Sequence, residues 1–159
     1  MENSNKKPAK TLIGAAGVHF VVSELSRRGL IALPTIRNTA GIDILVSEPD
    51  GSGQASLQVK TRSNKEDYWP TSRPERCLKG PRSFYVFVQY LPEEKRFEAF
   101  LESGDNVAKQ VQENLIYNQN QGNKDFPFWG LPSYLGLPSA AEETEKLRKK
   151  WQEWKPPST

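Results

Sequence analysis

The sequence predicts an α/β fold in which an N-terminal helix packs on a mixed central sheet of about five strands. Residues 11–28 carry apolar side chains at i, i+3, i+4 and i+7, which is the spacing of an amphipathic helix. Short apolar segments rich in β-branched and aromatic residues follow, and turn residues such as those at 47–54 separate them. A helical period that gives way to strand-like segments is typical of this fold class.

The first two thirds of the chain supply the predicted sheet. Arg27, Arg28 and Gly29 are typical of a helix C-terminus, so the N-terminal helix is predicted over residues 11–28. The predicted strands cover residues 30–35, 42–47, 55–61, 84–90 and 96–101, and the last two form a second hairpin. The segment 62–83 contains three prolines and is predicted to be irregular, with at most a turn of helix.

The last third is predicted to form C-terminal helices joined by a loop. The first helix covers residues 105–118, and the loop at 118–139 is rich in Asn, Gly and Pro. Ser139 with Glu142 forms the capping-box pattern, which predicts an amphipathic helix over residues 139–155. The apolar stripe of that helix packs either on this chain or on a second subunit.

Length and composition predict one domain, at residues 11–138, against which the C-terminal helix packs. A chain of 159 residues is long enough to bury a core, and residues 1–10 are interpreted as a flexible basic leader. No apolar run approaches the ~20 residues that span a bilayer, and no secretion signal is recognisable. We therefore expect a cytoplasmic protein with no membrane partner.

Cysteine and histidine are scarce, which excludes several kinds of site. The single cysteine, Cys77, excludes an internal disulfide and a cysteine-based zinc site. His19 is the only histidine, so most catalytic triads and histidine-based metal sites are excluded as well. Enzymatic chemistry would have to depend on carboxylates, lysine and a hard metal ion.

Polar side chains interrupt two predicted buried strands. Asp43 lies in the apolar run 41–46, and Gln58 and Lys60 lie in the run 57–61. Residues two apart in a strand share a face, so Gln58 and Lys60 point the same way, and a hairpin brings Asp43 near them. Because such groups are costly to bury unless they serve one another or a metal, this cluster is the leading candidate site. In the alternative, Asp43 is exposed at a strand end and Lys60 extends to water.

A basic segment with interleaved aromatic residues follows this cluster. The net charge of +3 and the pI of about 9.0 suit a nucleic-acid partner but also many other domains. Cations beside exposed aromatic rings suit a phosphate backbone and stacked bases. The candidate nucleic-acid-binding residues are Arg62, Lys65, Trp69, Arg73 and Arg76. In the alternative, the segment is a solvated loop whose Trp69 fills the core.

The order of these features resembles the PD-(D/E)xK phosphodiesterase superfamily. The helix segment 17–29, residues 41–43 (GID) and residues 58–61 (QVKT) carry the resemblance, which covers roughly residues 12–63. Within the superfamily, the chain is most similar to restriction-endonuclease-like and archaeal Holliday-junction-resolvase-like nucleases. The resemblance implies a restriction-endonuclease-like core.

The resemblance also implies a divalent-metal-dependent DNA endonuclease that uses Mg²⁺ or Mn²⁺. Asp43 would be the metal-binding carboxylate, Gln58 would occupy the second acidic position, and the carbonyl of Val59 would complete the metal ligands. Lys60 would stabilise the charge that builds on phosphorus, so the implied catalytic residues are Asp43, Gln58 and Lys60. Many nucleases of this fold cut as dimers, so a homodimer is a further implication.

Two departures from the family pattern concern the metal and the first helix. Gln58 is neutral where many members carry an acid, and Val18 occupies the slot of a glutamate that related nucleases carry. Glu24 is an auxiliary candidate, although at about 100° per residue it points about 120° away from Val18; its alternative role is a solvated one. His19 flanks the apolar stripe and either contacts substrate or water or is half-buried and hydrogen-bonded.

Three functions remain open on the sequence. The first is the DNA endonuclease, and the second is a nuclease-fold protein that binds nucleic acid or a protein without cutting. The third is an interaction module that uses the aromatic C-terminal half. The first is favoured because Asp43 and Lys60 occupy positions where a structural sheet prefers apolar residues.

Overall fold

A computed structural model describes residues 9–36 and 41–159, so residues 1–8 of the predicted leader lie outside the described part. The helices are α1 (Lys10–Arg27), α2 (Gly104–Asn120) and α3 (Ala140–Glu153). The strands are β1 (Ile31–Pro34), β2 (Ile44–Ser47), β3 (Gln54–Arg62), β4 (Tyr68–Pro70), β5 (Ser83–Leu91), β6 (Arg96–Ser103) and β7 (Phe128–Gly130). A short 3-10 helix spans Pro74–Arg76. The predicted α/β architecture is confirmed.

The central sheet has five strands in the order β1-β2-β3-β5-β6. Its neighbours are antiparallel except for β3 and β5, which are parallel, so the sheet is mixed as predicted. A parallel pair requires a crossover connection, and the segment between Arg62 and Ser83 provides it. That segment contributes β4, which pairs with the distant β7 in a second, two-stranded sheet. The loops predicted at 62–83 and 118–139 therefore each contain a short strand.

The alternation of side chains along β3 separates two hydrophobic cores. One core contains Leu57 and Val59 and lies between the sheet and helices α1 and α3. The other contains Tyr85 and Phe87 of β5 and is covered by α2 and the β4–β7 sheet. The polar positions Gln58 and Lys60 of β3 face this second side.

Helix α3 packs on its own chain. Trp151 and Trp154 are buried in the first core, and the Arg28 guanidinium lies 4.4 Å from the centroid of the Trp151 ring. Arg28 also donates a hydrogen bond of 2.6 Å to the Trp151 carbonyl. The end of α1 is thereby joined to the end of α3.

The capping box predicted at the start of α3 is wrong. Ser139 precedes the helix, but its φ of 59° is left-handed and its side chain accepts no capping hydrogen bond. A capping side chain needs an extended backbone at that position. By contrast, Gly29 takes the left-handed φ of 83° expected after α1, where the N–H of Leu30 donates to the Leu25 carbonyl. Within residues 9–36 and 41–159, no helix has both the length and the apolarity to cross a bilayer.

Candidate active site

Asp43 lies directly before β2 and extends the pairing of the first three strands. Its N–H donates to the Leu57 carbonyl at 2.9 Å, and its carbonyl accepts from the N–H of Thr35 at 2.9 Å. Its carboxylate Oδ2 accepts a hydrogen bond of 2.7 Å from the N–H of Val59. The side chain thus takes the position of a backbone acceptor beside β3. Asp43 is half-buried and anchored, which differs from the alternative of an exposed strand-end residue.

Gln58 and Lys60 share the second face of β3. In the parallel pairing with β5, Gln58 lies opposite Tyr85 and Lys60 lies opposite Phe87. Ile44 of β2 lies opposite Leu57, and both are buried in the first core. The Asp43 N–H also bonds to the Leu57 carbonyl, so the register shifts by one residue at Asp43. The hairpin therefore brings the Asp43 carboxylate to the N–H of Val59, the residue between Gln58 and Lys60.

The charge environment of Lys60 links it to Asp43. Burial lowers the pKa of the Lys60 ammonium, and the negative charge of Asp43 partly offsets this by raising it. Within the described residues, Lys60 forms neither a hydrogen bond nor an ion pair of 4 Å or less. Lys60 is therefore a half-buried cation whose pKa burial lowers and the charge of Asp43 partly raises again, although the two groups form no ion pair.

The other groups beside Lys60 favour their neutral forms. Burial is the main cause of a raised pKa at Tyr85 and at the thiol of Cys77. The Tyr85 hydroxyl accepts a hydrogen bond of 2.9 Å from the N–H of Leu78. Asp43 is thus the acidic group that balances Lys60 here. Sequence reasoning missed Tyr85, because the run FYVFVQY is typical of any buried strand.

A hollow of about 420 Å³ opens beside Asp43. Val18 and His19 of α1 line it together with Asp43 and Val59, and His19 is exposed. Val18 therefore borders the same hollow as the Asp43 carboxylate. Its apolar side chain offers no ligand to a metal ion.

Glu24 lies away from this hollow. It lines a different one of about 270 Å³ with Arg28. Its carboxylate is 2.8 Å from the Arg27 guanidinium and 3.9 Å from that of Arg28. The structure therefore does not bring Glu24 to Asp43, and we leave it out of the candidate site.

The donor atoms near Asp43 suit a hard cation that keeps part of its water shell. In a strand, the N–H and carbonyl of one residue point to the same side, so the Val59 carbonyl faces the gap that its N–H shares with Asp43. The Asp43 carboxylate and the Val59 carbonyl thus offer one charged and one neutral oxygen. Mg²⁺ commonly binds one or two carboxylates and completes its shell with water and phosphate oxygens. Within the described part of the chain, no three or more Asp, Glu, His or Cys side chains gather in a metal-binding group.

Two of the predicted nucleic-acid-binding residues serve the core instead. Trp69 is 1% exposed, and its Nε1 donates a hydrogen bond of 3.1 Å to the Val88 carbonyl. It cannot stack on a base, so that prediction is wrong and its alternative, filling the core, is correct. The side chain of Arg62 is only 10% exposed and lies 2.6 Å from the Glu66 carboxylate and 4.6 Å from the centroid of the Tyr68 ring.

The other three predicted cations lie on the surface. The Lys65 side chain is 85% exposed and pairs loosely with Glu93 at 3.4 Å. Arg73 pairs with Asp125, and Arg76 is exposed at the end of the 3-10 helix. Lys65 and Arg76 are therefore the most accessible cations of the predicted set.

The chain matches no protein-family model and no curated protein. Solved structures similar to it include a bacterial homing endonuclease, which is 18% identical with a TM-score of 0.45; the match covers 62% of this chain and 67% of that one. They also include Hjc, a Holliday junction resolvase from the archaeal hyperthermophile Archaeoglobus fulgidus. It is 14% identical with a TM-score of 0.46, over 82% of this chain and 99% of that one. Both are nucleases by name.

Proposed function

We propose that this chain is a divalent-metal-dependent endonuclease that hydrolyses phosphodiester bonds in DNA. One observation carries the proposal: the Asp43 carboxylate, held by the N–H of Val59 at 2.7 Å, acts electrostatically on Lys60, which lacks a direct partner among the described residues. A half-buried ammonium without an ion pair costs stability. Such a cost is expected of a group kept for an anionic substrate.

Each residue of the candidate site has a distinct role in this proposal. Asp43, the Gln58 amide oxygen and the Val59 carbonyl would hold Mg²⁺ or Mn²⁺, which when bound polarises a phosphate and activates a water. The N–H of Val59 fixes the orientation of the Asp43 carboxylate. Lys60 would donate to a phosphate oxygen and stabilise the negative charge that develops there, since partial burial strengthens that interaction.

DNA is the proposed partner, and the exposed cations suit its backbone. Lys65 and Arg76 are accessible and follow β3, the strand that carries Lys60. Arg62 and Trp69 would support this segment from within rather than contact the substrate. The homodimer and the cytoplasmic location stay predictions from the sequence.

Cleavage of plasmid and branched DNA with Mg²⁺ or Mn²⁺ tests the proposal. We expect metal-dependent nicking that EDTA stops and that Lys60→Ala slows by about 10²–10³-fold, the usual loss for one transition-state donor. Lys149→Ala, which removes an exposed lysine from α3, is the matched control and should nick like the wild type. Equal nicking by Lys60→Ala would reject Lys60 as a catalytic residue.

A nuclease-fold protein that binds DNA without cutting is the second candidate. The neutral Gln58 and the apolar Val18, which borders the same hollow as Asp43, favour it. This candidate predicts salt-dependent DNA binding with no nicking in either metal. Gln58→Glu addresses the metal site separately: it should increase the rise in Tm that Mn²⁺ produces. An unchanged response would count against a cation at this position.

A further inference from the structure

Three aromatic rings form a partly exposed surface beside the candidate site. The centroid of the Tyr68 ring lies 4.8 Å from that of Tyr134 and 6.1 Å from that of Phe126. Tyr134 is 48% exposed and Phe126 is 37% exposed. The buried Phe128 contacts all three rings, with centroids 5.5 to 6.1 Å away. We call Tyr68, Phe126 and Tyr134 the aromatic platform.

Arg62 links the aromatic platform to the face of β3 that carries Lys60. Arg62 is two residues beyond Lys60 on the same face of β3, a step of about 6.6 Å along the strand. Its guanidinium lies 4.6 Å from the Tyr68 ring centroid. A DNA strand with a phosphate at Lys60 would therefore bring its bases near the aromatic platform within a few nucleotides, at ~3.4 Å per stacked nucleotide.

Two of the three acids beside the aromatic platform are paired with arginines, and the third accepts a hydrogen bond from a serine. Arg62 pairs with Glu66, Arg73 pairs with Asp125, and Asp67 accepts a hydrogen bond of 2.7 Å from the Ser133 hydroxyl. Partnered acids repel a nucleic acid less than free ones do. The exposed rings offer π-faces, and the Arg62 guanidinium adds a cation over Tyr68, so this surface suits a base rather than a phosphate.

We propose that the aromatic platform stacks an unpaired base next to the scissile phosphate. The preferred substrate would then be DNA with unpaired nucleotides, such as a flap, gap or splayed junction, rather than continuous duplex. The reason is that a paired base is already stacked inside the helix, and its face reaches a protein ring only after it is unstacked. This inference rests on the proposed function for the position of the scissile phosphate. Stacking itself does not require cleavage.

Binding in EDTA tests the stacking without any cleavage. The probe is a single-stranded oligonucleotide that carries 2-aminopurine, whose fluorescence falls on stacking. We expect Tyr134→Ala to weaken binding about tenfold and to reduce the quenching, which is within the range for one base–aromatic stack. Tyr134→Trp should retain both. Tyr117→Ala is the matched control, because Tyr117 is an exposed tyrosine on α2 outside the platform.

Phe126→Ala provides a second test should Tyr134→Ala lower the Tm. If both variants keep the wild-type Tm and bind the oligonucleotide like the wild type, the stacking proposal is overturned. Cleavage then tests the substrate class: Tyr134→Ala should slow nicking of flapped DNA about tenfold and leave paired duplex unchanged. Intact stacking without any nicking rejects the endonuclease but not the platform. Nicking with equal losses on both substrates rejects the platform but not the endonuclease.

Discussion

The two faces of β3 are formed by alternate residues of one strand, yet their side chains are buried to different extents. On the first face, Leu57 is fully buried and Val59 nearly so, and both contact the core formed with α1 and α3. On the second face, Gln58 and Lys60 are only half-buried, although the neighbouring Tyr85 is fully buried. One face maximises apolar burial, whereas the other keeps a cation in a position where an apolar side chain would fit.

The second face has a part that is covered by other elements and a part that is open to solvent. The candidate site lies where the two parts meet. Over β5 the sheet is covered by α2 and the β4–β7 sheet. Over β1 and β2 it is open, since Leu33 and Leu45 are exposed on the same face as Ser56. A site at this border has buried groups on one side and access for a large substrate on the other. Four predictions address the contrast between the faces.

The largest effect is expected from truncation on the apolar face. Leu57→Ala should lower the free energy of unfolding by about 2–5 kcal/mol, since Leu57 is fully buried in the first core. Ser56→Ala, one residue earlier on the second face, should change it by less than about 0.5 kcal/mol. Urea unfolding of both variants checks this pair. Equal losses would show that the two faces do not differ in packing.

A smaller effect is expected where α1 crosses β3. A Cβ added at Gly17 would lie 1.9 Å from Thr61 Oγ1 and 2.8 Å from the Thr61 Cβ, so rotating the hydroxyl alone does not relieve the overlap. Gly17→Ala should therefore cost about 1–3 kcal/mol by overpacking. Gly14→Ala meets nothing within 4 Å and should stabilise α1 by up to about 1 kcal/mol. Thermal melts that show the same sign for both would contradict the close approach.

The smallest effect is expected from Lys60→Met, and its sign is the informative part. Methionine keeps most of the side-chain length but removes the half-buried charge, so the free energy of unfolding should rise by about 0.5–2 kcal/mol. A structural lysine would give a loss instead. Chemical denaturation at neutral pH distinguishes the two outcomes.

The same comparison has a defined pH dependence. Burial lowers the pKa of Lys60 in the folded protein below its ordinary value of 10.5. Between the lowered pKa of the folded protein and the ordinary pKa of the unfolded chain, the unfolded chain binds more protons than the folded one. The free energy of unfolding of the wild type therefore rises with pH relative to that of Lys60→Met. The advantage of the variant should shrink toward pH 10.5. An advantage that is constant over this window would contradict the lowered pKa.

Much of the site could be predicted because it depends on local periodicity. The two-residue repeat of β3 puts Gln58 and Lys60 on one face, and the turn residues at 47–54 require a hairpin that returns to Asp43. The 3.6-residue repeat of α1 puts Val18 toward the sheet. These relations involve neighbours in sequence, so the residues themselves carry the information.

The second sheet and its surroundings could not be predicted in this way. Strands β4 and β7 have three residues each, which is too few for a recognisable period. They pair although β5, β6 and α2 lie between them along the chain. The sequence allows Trp69 to be either exposed or buried. Only the pairing of β4 with β7 brings the Trp129 ring to 5.7 Å from the Trp69 ring, centroid to centroid, and buries it. Ser139 has the right side chain for a cap, but its backbone conformation prevents the hydrogen bond.

The sequence by itself determined the helix–strand order and the shared face of Gln58 and Lys60, because backbone periodicity fixes which side chains share a face. Only the tertiary structure decided which of these faces is covered and that Tyr134 and Phe126 remain open to solvent. Burial depends on which distant segment packs on a face, and no local pattern records that choice.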